Sequence, residues 1–267
     1  EGSPEPAEGF IANVRSTDNK ILGVVSNKYT AVQNKSAFAF TDALVGTGEV
    51  QYETAGSLAE GKKIWLLAKL TGDHNILGDK VEPYLLFSNA HDGSSAVRVA
   101  VTPIRVVCQN TLNLALGQAK RMWSTRHMGD MDAKMIEAQN TLNFSRQYMA
   151  KLAEEADLLS QYILRKDQIE MILDAMFPIA EDATDRIRNT REQSKDEILT
   201  LVEASDLQKF GKGNAWAFVN GVTDWAAHRR PLRNTSTFAE NQFDRVTSGH
   251  PVLDQAYDLV RTLIKAA

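Results

Sequence analysis

Cysteine is nearly absent: one, Cys108, stands in 267 residues, which rules out an intramolecular disulfide framework and a cysteine-rich zinc module. Long apolar runs are missing too. None exceeds five residues, the length of Ile64–Ala68, against the roughly 20 that a bilayer-spanning helix needs. No membrane segment is expected, and the scarcity of cysteine fits a reducing, cytoplasmic setting. There is no Gly-x-x-x-x-Gly-Lys-Ser/Thr and no Gly-x-Gly-x-x-Gly after a strand, so nucleotide hydrolysis and dinucleotide binding have no support and no cofactor is expected. Low-complexity and disordered classes drop out as well, because 43% hydrophobic and 24% charged residues are ordinary globular usage. The chain opens at Glu1 without an initiator Met or a basic-then-apolar leader, and the expectation is that its natural start is missing.

Acidic residues are absent from one long window. Between Gly93 and Gly129 there is no Asp or Glu, while Arg98, Arg105, Lys120, Arg121 and Arg126 supply five cations and His127 a possible sixth. The following stretch, Asp130–Asp206, reverses this with 17 acidic and 9 basic residues. A second basic run, His228-Arg229-Arg230-Pro231-Leu232-Arg233, lies in another acid-free interval. Charge runs usually mark solvated faces, but the first window coincides with the strand-rich centre of the chain.

Residues 1–19 read as a flexible lead-in, with Pro4, Pro6 and Gly9 at its start. Ile21-Leu22-Gly23-Val24-Val25 reads as a strand. Asn34 then caps a helix whose apolar residues return at helical spacing until Gly46. Glu49–Ser57, Lys63–Leu70, Glu82–Ser88 and Ser95–Val107 are extended segments separated by short Gly-containing turns, which only antiparallel pairing can use. In the last of these, Val97, Val99 and Val101 alternate with Arg98, Ala100 and Thr102. Pro103 cannot donate to a ladder, and a bulge there would return Arg105 to the face of Arg98. Asn110 is expected to cap a short helix ending at Gly117, and Lys120–His127 to be extended again.

Beyond Gly129 the apolar period becomes helical. One helix is expected from Asp130 to about Leu159, with Met131, Met135, Leu142, Met149, Leu152 and Ala156 on one stripe. Others follow from Asp167 to Pro178, Thr184 to Ala204, Asn214 to Arg230 and Val252 to Lys265. The fold class is therefore α+β: an antiparallel β-meander with short helices over 20–129, then an all-helical region over 130–267 that packs on the sheet or forms a second subdomain.

Three chemistries compete. His91, Asp92 and His127 are weak metal-ligand or hydrolase candidates, since none stands in a ligand-type spacing and Asp92-Gly93 is explained by turn chemistry. Cys108, beside Val106 and Val107, reads as a buried apolar side chain rather than a nucleophile. A nucleic-acid surface is the sharper reading, because Lys120-Arg121-Met122-Trp123-Ser124-Thr125-Arg126-His127 interleaves cations with an aromatic face on which a base can stack. Trp123 serves there only if it is exposed rather than in the core.

Several blocks carry a resemblance: Leu22-Gly23-Val24-Val25 with Tyr29-Thr30-Ala31-Val32-Gln33-Asn34; Tyr52-Glu53-Thr54-Ala55-Gly56-Ser57-Leu58; Leu86-Phe87-Ser88-Asn89-Ala90-His91-Asp92-Gly93-Ser94-Ser95; and Arg105-Val106-Val107-Cys108-Gln109-Asn110-Thr111-Leu112. Together with Trp123-Ser124 and Arg126-His127, this pattern resembles the phage/plasmid-like protein family, a domain of unknown function found in phages, plasmids and prophages. The resemblance implies a role in mobile-element DNA metabolism. At fold level a meander followed by a helix is also similar to single-strand annealing proteins, which act as oligomers without nucleotide. The resulting expectation is a non-enzymatic, homo-oligomeric single-stranded DNA-binding protein using Arg98, Arg105, Lys120, Arg121, Trp123, Arg126 and His127. The alternatives are a protein-interaction module with a host or phage protein as partner, and a His/Asp-dependent hydrolase or nuclease.

Overall fold

The computed structural model describes residues 6–46, 48, 50–72, 74–105, 122–139, 141–203, 213–228 and 251–266. The fold is α+β, with the antiparallel strands in the N-terminal half and the helices dominating the C-terminal half. The chain divides into two compact units, one of residues 1–72, 83–102 and 120–146, the other of 73–82, 103–119 and 147–267.

The first unit opens with a hairpin of β1 (Phe10–Arg15) and β2 (Lys20–Ser26), paired from Phe10↔Ser26 to Arg15↔Lys20. Residues 10–15 belong to the expected flexible lead-in. They form a strand because Pro4, Pro6 and Gly9 all precede them, leaving an uninterrupted β-compatible segment. Helix α1 (Asn34–Gly46) follows. The main sheet has the order β3 (Val50–Leu58), β4 (Lys63–Leu70), β6 (Asp79–Ala90), β7 (Val97–Arg105) and β8 (Met122–Thr125), and β5 (His74–Ile76) pairs with the start of β6. A short β-strand such as β5 leaves too few residues to show a period, so sequence pattern alone does not reveal it.

Alternation sets the core of this unit. Leu66 pairs with Phe87 and Ala68 with Leu85, so all four share one face, and Leu85, Phe87, Val97, Val99 and Val101 are fully buried. Each such side chain contributes about 1.5–3 kcal/mol by leaving water. Helix α1 packs against β3 and β4, and α2 (Met131–Gln139) against α1 and β8. Beyond Pro103, β7 continues as extended backbone to Arg105. The side chains of 102–105 lie outside the described residues, and with them the expected bulge and the face taken by Arg105. Cys108, the helix expected from Asn110, Lys120, Arg121 and residues 229–233 also lie outside them.

The second unit is built on amphipathic helices. These are α3 (Thr141–Gln161), whose first residues belong to the other unit, α4 (Lys166–Met176), α5 (Asp185–Val202), α6 (Ala215–His228) and α7 (Pro251–Ala266). The single helix expected from Asp130 to Leu159 is instead two, α2 and α3. Pro178 ends α4 as expected, since its ring cannot continue the hydrogen-bond ladder. Tyr148, Leu159, Ile172, Ile198, Phe218 and Val222 are fully buried, and the Trp225 indole packs edge-on to Phe177 while its Nε1 donates to Glu197 at 2.9 Å. The apolar step between α3 and α4 is mixed: Leu159 and Leu164 are buried, whereas Ile163 is exposed. Among the described residues no helix is long and apolar enough to cross a membrane.

Candidate nucleic-acid interface

The site grows from the end of β2. Ser26 closes the strand with two turn contacts: its carbonyl accepts from the Tyr29 amide at 2.9 Å and its hydroxyl from the Lys28 amide at 3.2 Å. The turn projects Lys28 into solvent and leaves Tyr29 half-buried. The next residue is tied to a segment 97 positions away, because the Thr30 amide donates to the His127 carbonyl at 2.9 Å and His127 Nδ1 donates to the Thr30 carbonyl at 3.2 Å. This double tie lays the Tyr29 and His127 rings on each other, centroids 4.4 Å apart and 16° from parallel. The Tyr29 hydroxyl donates to the Ala90 carbonyl at 2.6 Å.

A second wall is the turn between β6 and β7. The Ser94 amide donates to the Asp92 carboxylate at 2.9 Å, and Gly93 takes a φ of 74°, a conformation that favours glycine. Asn13 on β1 donates to the His91 carbonyl at 2.7 Å, and His91 Nε2 lies 2.8 Å from Asn34 Oδ1. Asn34 thus opens α1 as expected, but its side-chain oxygen is engaged by His91.

The third wall comes from β7 and β8. Arg98 pairs with Ser124 and Val99 with Trp123. Since side chains alternate, Arg98 shares a face with Ala96, Ser124 and Arg126, whereas Trp123 shares the opposite face with the buried Val97, Val99 and Val101. Between these walls lies a cleft of about 590 Å³, lined among others by Lys28, Tyr29, Asp92, Ser94, Ser95, Arg98, Arg126 and His127.

The structure therefore brings together Arg98, Arg126 and His127 from separate parts of the sequence. It separates Trp123 from them, because strand register and not proximity in sequence decides which face a side chain takes. Lys28 and Tyr29 are the members that the sequence reading missed. Their approach to His127 is a long-range backbone pairing with no local signature. In this family of candidate contacts the sole local hint is that both stand directly after a strand.

The model of the family described as "Domain of unknown function (DUF932)" matches residues 21–248. The chain is a member of the DUF932 family. The matched span contains every residue of the cleft, from Val24 to Met128, while β1 precedes it. Neither a curated protein nor a solved structure matches this DUF932 chain.

Burial shapes the titration of the site. His127 is held below the ordinary histidine range first by desolvation, against the opposing bond to the Thr30 carbonyl, with the nearby His91 lowering it further. His91 is lowered by burial, partly countered by Asp92. Tyr29 is raised by burial and by Asp92. Neutral His127 donating from Nδ1 presents Nε2 as a bare acceptor, and that atom is buried without a hydrogen-bond partner among the described residues. Of the two imidazoles, His91 has its Nε2 engaged by Asn34 Oδ1, whereas the bond from His127 Nδ1 to the Thr30 carbonyl fixes that ring's tautomer and leaves Nε2 as its acceptor nitrogen. Among the described residues, no group of three or more His, Cys, Asp and Glu side chains is arranged to hold a metal ion.

A stability prediction follows from the two histidines. Unfolded, each titrates near its ordinary value of about 6.5; folded, each resists protonation. As pH falls through about 6.5 the unfolded chain takes up protons that the folded chain refuses, so stability present above that pH is lost until the lower folded values are passed. Thermal melts from pH 7.5 to 5 should show a falling Tm. In His127→Phe, which keeps an aromatic face for Tyr29, the fall over the same range should be smaller; an equal fall would show that His127 is not its source.

Proposed function

We propose that this DUF932 protein is a non-enzymatic single-stranded DNA-binding protein of a phage or mobile element, working in the cytoplasm. The observation that carries the reading is the convergence of Lys28, Arg98 and Arg126 on one cleft whose wall includes the Tyr29–His127 stack. Cations beside an aromatic face are what a single strand requires, phosphates for the first and a base for the second. Tyr29 takes the stacking role that the sequence assigned to Trp123, since Trp123 lies on the other face of the sheet. A homo-oligomer would repeat this cluster along a strand.

Fluorescence anisotropy of a labelled oligothymidylate tests the proposal. Single-strand binding loses about 0.7 in log–log salt slope for each phosphate neutralised, so three cations give a slope of about −2 and a roughly twenty-fold loss of affinity between 50 and 200 mM salt. Duplex of the same length should bind more weakly, because its bases are not free to stack. No binding at 50 mM salt, or binding indifferent to salt, would overturn the reading.

A further inference from the structure

The hairpin of β1 and β2 is covered unevenly. Val25 on β2 is 6% exposed, whereas Ile11, its partner on β1 and therefore on the same face, is 44% exposed. The other face of β1 is open as well, with Phe10 at 59% and Val14 at 50%. What β1 lacks on both faces is cover from its side.

Backbone bonding identifies that side. The Asn27 amide donates to the Gly9 carbonyl at 2.9 Å, so alternation places the ladder bonds to β2 on Gly9, Ile11 and Asn13. The amide and carbonyl of Ala12 consequently face away from β2, and among the described residues no strand lies there, since β1 and β2 form a sheet of two. Natural edges of this kind are blunted by charge or proline. Phe10 to Val14 contains neither.

The edge also fits itself. Antiparallel pairing of β1 with β1 of a second copy about Ala12 sets Ala12 against Ala12, and Phe10 of each copy against Val14 of the other on the same face. Aromatic and β-branched side chains directly opposed are a favourable pair, and Ala12 leaves room between the two pairs. No like charges meet. Arg15 falls opposite Gly9 and is held by Asp18 of its own chain, while Lys20 is held by Glu60. These two ion pairs leave that end of the hairpin without net charge, so it offers a counter-ion to neither a polynucleotide nor a charged peptide.

We infer that β1 is the contact of a two-fold homodimer, in which two hairpins join edge to edge as one four-stranded antiparallel sheet. Two strands alone are marginal in water, and four are not. The contact is isologous and closes at two copies. With 6 residues a side, against about 20–30 in a standard interface, the dimer is weak and forms in the micromolar range. It supplies a surface for the homo-oligomer of the single-strand reading but is carried by the hairpin alone, so it can fail while strand binding stands.

Sedimentation equilibrium of the full chain without DNA, from about 1 to 200 µM, should show a reversible monomer–dimer equilibrium and no larger species. Ala12→Lys opposes two ammonium groups at the axis and should raise the dissociation constant at least ten-fold; Ala12 is exposed, and circular dichroism checks that the variant is folded. Cross-linking is the second measurement. Opposed Cα atoms in a hydrogen-bonded antiparallel pair lie about 5.5 Å apart, within disulfide reach, so Ala12→Cys should oxidise to a covalent dimer. Thr17→Cys, in the loop of the hairpin, should not, and neither should the wild-type chain with its single Cys108. A chain that stays monomeric throughout the range overturns the inference. So does a dimer that Ala12→Lys leaves unchanged and Ala12→Cys fails to cross-link, because its contact lies elsewhere. Dimers that form only on adding oligothymidylate overturn it too, since the strand and not β1 then joins the copies. Anisotropy with a labelled strand decides the single-strand reading separately from all three.

Discussion

Gly23→Ala is expected to cost roughly 1–3 kcal/mol of stability, the range for forcing an extra methyl into packed structure, and to abolish ligand binding at the cleft. A Cβ on Gly23 would stand 2.4 Å from Asp92 Cα and 3.1 Å from its carbonyl carbon. Both are backbone atoms, so no side chain can swing aside. Neither wall is free to retreat: Gly23 is paired in register with Asn13, and Asn13 itself donates to the His91 carbonyl, while the His91 amide donates to the Lys62 carbonyl at 2.7 Å. The methyl must therefore separate β2 from the β6–β7 turn, the two elements that present Lys28 and Asp92 to the cleft. Gly46→Ala is the control. A Cβ there meets nothing within 4 Å, and the change should be neutral or stabilise by a few tenths of a kcal/mol through the unfolded chain. Urea unfolding of both variants, with binding measured alongside, checks this; a Gly23→Ala protein as stable as wild type would show that the hairpin does not clasp the turn.

Gly23 also shows where sequence reading stops. The strand around it was legible, because Ile21 to Val25 is a short apolar run, and so was the turn at Gly93, because Asp-Gly favours one. That the two glycines bring these elements together across about 70 residues leaves no local mark. The meander was legible in the alternation of Val97, Val99 and Val101 and in the short turns, and the helical half in its recurring apolar positions. Two elements were missed for physical reasons. β1 carries apolar residues that stay exposed, Phe10, Ile11 and Val14, so its sequence lacks the in-and-out contrast that marks a half-buried strand. β5 is three residues long, too short for any period to register.

The site was legible in part. Arg98 and Arg126 meet because β7 and β8 are paired, which the Gly93–Gly129 window suggested by its lack of acids. Trp123 was drawn into the patch by its neighbours in sequence, yet pairing with Val99 sends it to the far face. Conversely, Lys28 and Tyr29 came from a segment whose charge and composition gave no signal. A surface assembled by long-range pairing can be read from sequence only where its members sit on adjacent strands.

Simultaneous replacement of Arg98 and Arg126 by alanine is the second large effect. Two charge-assisted contacts at about 1.5–3 kcal/mol each correspond to a loss of about 100-fold or more in single-strand affinity. Their removal should also flatten the log–log salt slope by about 1.4, since two phosphates no longer shed counterions. The pairing of the two results matters, because a variant that merely distorted the cleft would weaken binding without changing the number of ions released by that amount. Far-ultraviolet circular dichroism confirms that both proteins are folded before the titrations are compared.

The difference in salt slope between the wild-type chain and Arg98→Ala/Arg126→Ala, read from anisotropy of one labelled single strand between 50 and 200 mM salt, tests most directly whether these cations act together on a strand. A slope near −2 in the wild type and near −0.7 in the variant is the predicted result. Superimposable slopes and affinities in two folded proteins would contradict it.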